Sequence, residues 1–274
     1  MPRAPGGRGR KPPVLKRFGQ HFLTDEKILT AIVDALAPTT SDTVVEVGPG
    51  RGSLTDILVE RAGWVIAIEI DRALAKNLRD KYHTRSNVEI VEDDFLDVDL
   101  RAEAGRDYLL IGNVPYYITT PIIFKALEPP MPRRAVFLVQ REVAERMAAK
   151  AGDEAYGALT VNVAVVASVE QVLTVPASAF RPPPKVESAV VRLMPLERPL
   201  VPADSLDSFR TFVQAAFGQR RKQMQRVLRS LRGVSAEQAN AILERVGIES
   251  TARPEVVSPE QFAKLFRVLR ENTT

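Results

Sequence analysis

Residues 43–55 read TVVEVGPGRGSLT. Thr43 to Val47 form a short apolar run rich in β-branched residues, the pattern of a strand buried in a sheet. The turn GPGRG (48–52) follows. Gly48, Gly50 and Gly52 allow a tight turn and let a ligand approach the backbone at the N-terminus of a helix. Ser53 is placed to cap that helix, with Leu54, Ile57 and Leu58 turned inward.

Reading outward, the same alternation recurs. Upstream, Ile28, Leu29, Ile32, Val33 and Leu36 mark one face of a helix, with Asp25 and Glu26 in its first turn where the dipole favours anions. Downstream come strands WVIAIEI (64–70), VEIV (88–91), YLLIGNV (108–114) and AVFLVQ (135–140), with a helix over 72–82 and another starting near Pro121. Strands alternating with helices predict an α/β fold built on a parallel, doubly wound sheet. Propensity alone leaves 159–175 open between helix and strand, and 187–195 (ESAVVRLMP) is a strand after the rigid FRPPPKV. Beyond Pro202 only helical periodicity remains, over 205–217, 221–232, 235–246 and 259–271. The last two open with Ser235-x-x-Gln238 and Ser258-x-x-Gln261 capping boxes. The proline-bearing LERPLVPAD (196–204) is the expected boundary, giving one domain over 18–198 and a small all-helical one over 199–274.

Composition narrows the chemistry. The chain has 274 residues, 45% hydrophobic and 26% charged, with a formal net charge of +4. It has no Cys, which excludes a disulfide scaffold, a thiolate nucleophile and Cys-based metal sites. Two His, His21 and His83, exclude a multi-His metal centre, so no metal is expected. No apolar run is long enough for a membrane span and no secretory leader is expected, which predicts a cytoplasmic protein. The first seventeen residues carry six Lys or Arg and no acid, interrupted by Pro and Gly, and are expected to form a mobile basic arm.

Two further groups bear on the glycine turn. Glu69, 21 residues after Gly48 and at the end of its strand, can accept both hydroxyl protons of a ribose. This spacing serves a dinucleotide and S-adenosylmethionine alike. Asp94, after the third strand, is placed to reach an adenine amino group. Asn113-Val114-Pro115-Tyr116 then points to the acceptor. The exocyclic amine of adenine is a poor nucleophile because its lone pair is delocalised into the ring. The Asn113 side-chain oxygen and a main-chain carbonyl, most simply that of Val114, can hold both amine protons and aim the lone pair at a methyl sulfonium. Pro115 stiffens the turn, and Tyr116 offers a ring on which the base can stack. Catalysis would rest mainly on proximity and orientation.

LKRFGQHFL (15–23), VVEVGPGRGSLT (44–55), IAIEID (66–71), NVPYYITTPI (113–122), FRPPPKVESAVVRL (180–193) and FGQRRKQMQRVL (217–228) together resemble the ribosomal RNA small-subunit dimethyladenosine transferases. The resemblance runs from about Lys16 to Arg229. It implies a Rossmann-like class I methyltransferase domain using S-adenosylmethionine to dimethylate two adjacent adenosines near the 3′ end of 16S rRNA. The expected partner is 16S rRNA in the immature small subunit, with the enzyme acting as a monomer. By carry-over, Gln20, His21, Leu23, Gly48, Gly50, Glu69, Asp94 and Asn113 contact the cofactor. Phe180 matches an aromatic expected to stack on the target base opposite Tyr116, and residues 159–167 are implied to be helical. Two positions depart from the family pattern: His21, where Asn is frequent, and Tyr117, where Asn or His is.

Residues 204–232 hold seven cations against Asp204 and Asp207. A charge run is ordinarily a solvated helix face. Beside an adenine pocket it reads better as an RNA-phosphate surface, with Arg220, Arg221, Lys222 and Arg226 as contacts. The alternatives are a macrolide-resistance methylase acting on 23S rRNA, which shares the Asn-x-Pro-Tyr tetrad, and a ribosome-assembly or binding factor whose catalysis is secondary. FGQRRK and the full FRPPPKV favour the small-subunit enzyme. A DNA adenine methylase has less support.

Overall fold

The computed structural model describes residues 21–271; the basic arm and Gln20 lie outside that range. The chain opens with β1 (Phe22–Leu23), α1 (Glu26–Leu36), β2 (Thr43–Val47), α2 (Thr55–Arg61), β3 (Trp64–Ile68), α3 (Arg72–Tyr82) and β4 (Val88–Val91). It continues through α4 (Leu100–Ala104), β5 (Leu109–Asn113), α5 (Thr119–Ala126), β6 (Arg134–Gln140), α6 (Arg141–Ala148), α7 (Ala158–Ala164), β7 (Ala167–Val175), β8 (Phe180–Arg181) and β9 (Ser188–Pro195). Helices α8 (Leu206–Phe217), α9 (Met224–Arg232), α10 (Ala236–Arg245) and α11 (Pro259–Glu271) close it.

Seven strands form one sheet in the order β4-β3-β2-β5-β6-β9-β7. The first five run parallel, as expected, while β9 pairs antiparallel with both β6 and β7. The sheet is therefore doubly wound with a reversed edge. From β2 the chain steps outward to β3 and β4, then returns to lay β5 on the other side of β2. That reversal opens a crevice beyond the C-terminal ends of β2 and β5, where ligands bind in such sheets. Gly48 follows β2 directly and Asn113 ends β5, so both expected motifs meet there.

Both faces of the sheet are covered, which explains the unbroken apolar runs. On one face Val45, Ile66, Leu110 and Phe137 join a core that continues through Val161 and Val163 of α7 into Phe209, Val213, Phe262 and Leu269 of the C-terminal helices. On the other, Val44, Val65, Ile111 and Leu138 pack against Leu29, Ile32, Val33 and Leu36 of α1. Asp25 caps α1 and Asp71 caps α3 through backbone N–H groups. The two Ser-x-x-Gln boxes form, with Gln238 and Gln261 reaching back to the amides of Ser235 and Ser258.

Several local expectations need correcting. Ser53 does not cap α2; Leu54 takes the N-cap position without a side-chain bond, because the tight turn continues one residue further. Ile70 falls outside β3 and is exposed. The helix implied over 159–167 ends at Ala164, and Ala167 already opens β7. The helix expected from 221 starts at Met224, because residues 218–223 form a loop.

Candidate active site

One cavity at the crevice collects residues from five places in the chain. His21, Leu23, Gly48, Gly50, Glu69, Asp94, Asn113, Pro115 and Tyr116 all line it. Glu46, Arg51, Asp93 and Tyr117, which were not expected there as contacts, line it as well.

The glycine turn is shaped by its surroundings. Gly52 has φ +79°, and a Cβ there would lie 2.6 Å from the Tyr82 hydroxyl, which itself donates to Asp56 at 2.9 Å. Gly50 has φ +60° and sits beneath the Phe22 ring. Arg51 lies over that same ring at 4.2 Å, so the turn and the 21–23 segment hold each other.

Glu69 is buried, and both its oxygens are oriented by backbone donors. Gly50 N–H donates to Oε2 and Asp71 N–H to Oε1, each at 2.9 Å. Burial pushes its carboxyl above the usual range, and the backbone donors offset part of that. Glu46, the penultimate residue of β2, is more deeply buried; its carboxyl accepts a 2.6 Å hydrogen bond from the Thr55 hydroxyl. Burial, reinforced by nearby Glu69, pushes its pKa up to about 8. With Glu46 largely protonated at neutral pH, the carboxyl groups of Glu69, Asp93 and Asp94 still outnumber the one guanidinium, Arg51, in the lining, which favours a cationic ligand over an anionic one.

Asn113 is oriented by the segment before α1. Its Nδ2 donates to the His21 carbonyl at 3.3 Å. A carbonyl only accepts, so the amide must face it with nitrogen, and Oδ1 is turned the other way. His21 Nδ1 lies 2.9 Å from the Pro182 carbonyl, which by the same reasoning makes Nδ1 the protonated nitrogen. Strand β1 pairs with β8, Leu23 opposite Phe180, and so fastens this segment to the 180–182 stretch.

Two expected site residues are not brought together with the others. Phe180 is fully buried in the core beneath β1 and does not line the cavity, because its strand pairing turns the ring inward. The ring that faces Tyr116 is instead His21, at 6.0 Å between centroids and 23° between planes. Arg220 is engaged within the chain, pairing with Glu255 at 2.8 Å and donating to the Glu154 carbonyl. Arg221, Lys222 and Arg226 are exposed and form no ion pair with a described residue. Sequence reasoning missed Ser188, whose fully buried Oγ lies 2.6 Å from the Tyr116 hydroxyl. Its signal was position alone, the first residue of a strand beside the cavity. Among the described residues no group of His, Cys, Asp or Glu could hold a metal ion, and no helix is long and apolar enough to cross a membrane.

An acid-lined crevice at the reversal of a doubly wound sheet, with an Asn-x-Pro-Tyr turn on its floor, defines the α/β methyltransferase class. Residues 14–271 match the family model described as ribosomal RNA adenine dimethylase, and the chain belongs to that family. The protein is 41% identical over 259 residues to the ribosomal RNA small subunit methyltransferase A of Caldanaerobacter subterraneus subsp. tengcongensis, covering 93% of this chain and 96% of that one. It is 39% identical to its Acidobacterium capsulatum counterpart, covering 98% and 99%. Among solved structures, a dimethyladenosine transferase from Plasmodium falciparum matches with a TM-score of 0.79 at 27% identity, covering 92% of this chain and 98% of that one. The 23S rRNA methyltransferase ErmE matches at 0.71 and 33%, covering 91% and 99%. The protein is an rRNA adenine dimethyltransferase.

Proposed function

We propose that this enzyme uses S-adenosylmethionine to place two methyl groups on each of two adjacent adenosines near the 3′ end of 16S rRNA, in the cytoplasm and on the immature small subunit. The observation that carries the reading is the convergence of Asn113, Tyr116 and Glu69 on one cavity. A donor bearing a sulfonium and an ammonium suits its carboxylate-rich lining, and supplies an electrophilic methyl group.

The residues divide the work. The 48–52 turn offers backbone to the donor's methionine part. Glu69, already held by two N–H groups, keeps lone pairs for ribose hydroxyls. Asp94 serves the donor's adenine, and His21 and Leu23 close over the site. Oδ1 of Asn113 and the Val114 carbonyl accept the two protons of the target amine, and the Tyr116 ring supports the base. S-adenosylmethionine would supply the electrophilic methyl group, while Asn113 and the Val114 carbonyl would hold the amine with its lone pair aimed at that group until the proton of the methylated amine is released to solvent. In the second round the singly methylated amine presents its remaining proton to the same acceptors. Residues 18–198 would carry this chemistry, and 199–274 would present Arg221, Lys222 and Arg226 to phosphates.

The test is methyl transfer to immature small subunits, to large-subunit rRNA and to DNA, side by side. Preference for the small subunit is expected. Preference for the large-subunit rRNA would support the second reading, which the likeness to ErmE favours.

A further inference from the structure

Tyr116 and Tyr117 are consecutive on the 3₁₀ turn Tyr116–Ile118, yet their surroundings are opposite. Tyr116 is half-buried with its hydroxyl on Ser188. Tyr117 is 65% exposed, lines the same cavity, and makes no ring contact or hydrogen bond with a described residue. Successive side chains of a 3₁₀ turn diverge by about a third of a rotation. One ring therefore serves the inside of the cavity and the other its mouth.

We propose that Tyr117 is a positioning residue that stacks on the nucleotide next to the target adenosine. The inference rests on the reading above, in which the substrate bears two adjacent adenosines. Drawing one base into the cavity leaves its neighbour without a stacking partner, and that loss opposes extrusion. A free aromatic face at the mouth replaces the lost partner, and does so without regard to base identity. An exposed tyrosine elsewhere on the surface would need no explanation. This one adjoins the residue expected to support the target base, where a strand leaving the cavity must pass. The dimethylated adenine made in one round has the same π-face, so the platform also serves while its neighbour is modified.

The experiment is a cycle of protein and RNA changes, read by fluorescence anisotropy with S-adenosylhomocysteine present. The full-length protein, Tyr117→Ala and Tyr117→Phe are titrated against an RNA hairpin with two adjacent adenosines in its loop. A second hairpin has one of the two replaced by an abasic nucleotide. Tyr117→Ala should weaken binding to the intact hairpin about tenfold, the scale of one base–aromatic stack, while Tyr117→Phe retains it. The abasic hairpin should cost the unaltered protein a similar factor and Tyr117→Ala little more. An equal abasic penalty in both proteins, or no loss in Tyr117→Ala, overturns the proposal. Failure of the underlying reading looks different: the unaltered protein would then bind the intact hairpin no better than one with both adenosines replaced by uridines, and both proposals would fall.

Discussion

The hydroxyl of Tyr116 lies 2.6 Å from Oγ of Ser188, the fully buried first residue of β9. The reversed strand thus reaches across β6 to hold the ring beside Asn113. Burial raises the Tyr116 pKa and the Ser188 hydrogen bond opposes that rise, so the phenol stays neutral and available as a partner. Ser188→Ala leaves that hydroxyl unpaired and should cost about 1 kcal/mol of stability. It should also lower turnover while leaving donor affinity unchanged. Tyr116→Phe added to Ser188→Ala removes the unpaired group, so the second change should cost less stability than it does alone. Equal costs in both backgrounds, measured by denaturant unfolding, would sever the two residues.

Asn113 gives a sharper test because its orientation depends on donating. Asn113→Asp keeps the shape but has no N–H for the His21 carbonyl 3.3 Å away, and adds a charge facing it. Both Asn113→Asp and Asn113→Ala should retain fold and RNA affinity yet lose at least about a hundredfold in single-turnover rate, consistent with misplacing a reacting group. Near-normal rates in either variant would sink the amine-holding role.

Much of this site was legible because the fold obeys local rules. TVVEV and VEIV coincide with β2 and β4, and residues 72–82 with α3, since buried parallel strands and capped helices announce themselves in short windows. The glycine turn and Glu69 directly follow strand ends and Asn113 is itself a strand's last residue, so placing the strands placed them. What stayed hidden depends on pairing between distant segments. Phe180 carries an aromatic side chain in a suggestive motif, but only its pairing with Leu23 reveals that the ring faces the core. Arg220 reads as one more free cation until Glu255 arrives from 35 residues away. The direction of β9 and the strand nature of 167–175 are likewise set by partners, not by propensity.

Glu69→Ala tests the donor site. The change removes the acceptor expected for ribose hydroxyls and also frees the Gly50 and Asp71 amides it now orients. S-adenosylmethionine affinity should fall by roughly 1.5–3 kcal/mol, the scale of hydrogen bonds to a charged group. Unchanged affinity by calorimetry in a folded variant would remove Glu69 from the site.

Glu46 predicts a pH dependence of stability. Its folded pKa is about 8, against 4.5 as the ordinary value, with burial the largest cause. An acid whose folded pKa is raised stabilises most below the unfolded value. Between pH 4.5 and 8 the folded protein retains a proton that the unfolded chain releases, so this contribution is lost as pH rises, by up to roughly 1.4 kcal/mol per unit. Glu46→Gln should therefore flatten the decline of Tm across that window and be relatively more stable at its upper end. Parallel Tm curves for the two proteins from pH 5 to 9 would contradict it.

The basic loop before α9 tests whether the C-terminal helices meet RNA. Arg221 and Lys222 are exposed, and Lys222 has only the Gln219 side chain as a polar side-chain partner among the described residues. Arg220 is the natural contrast, since Glu255 already neutralises it. If Arg221 and Lys222 contact phosphates, reversing both to Glu should weaken RNA binding. It should also reduce the log–log salt slope by roughly 0.7–0.9 for each lost contact. Arg220→Gln should change the slope much less and act instead on stability, because it leaves Glu255 unpaired. Donor binding, confined to the cavity between β2 and β5, should be unaffected in every variant. The slope is the decisive quantity, because any added acid weakens RNA binding somewhat at low salt. A slope unchanged by the double reversal, with donor affinity intact, would move the phosphate surface elsewhere, most simply to the basic residues 1–17.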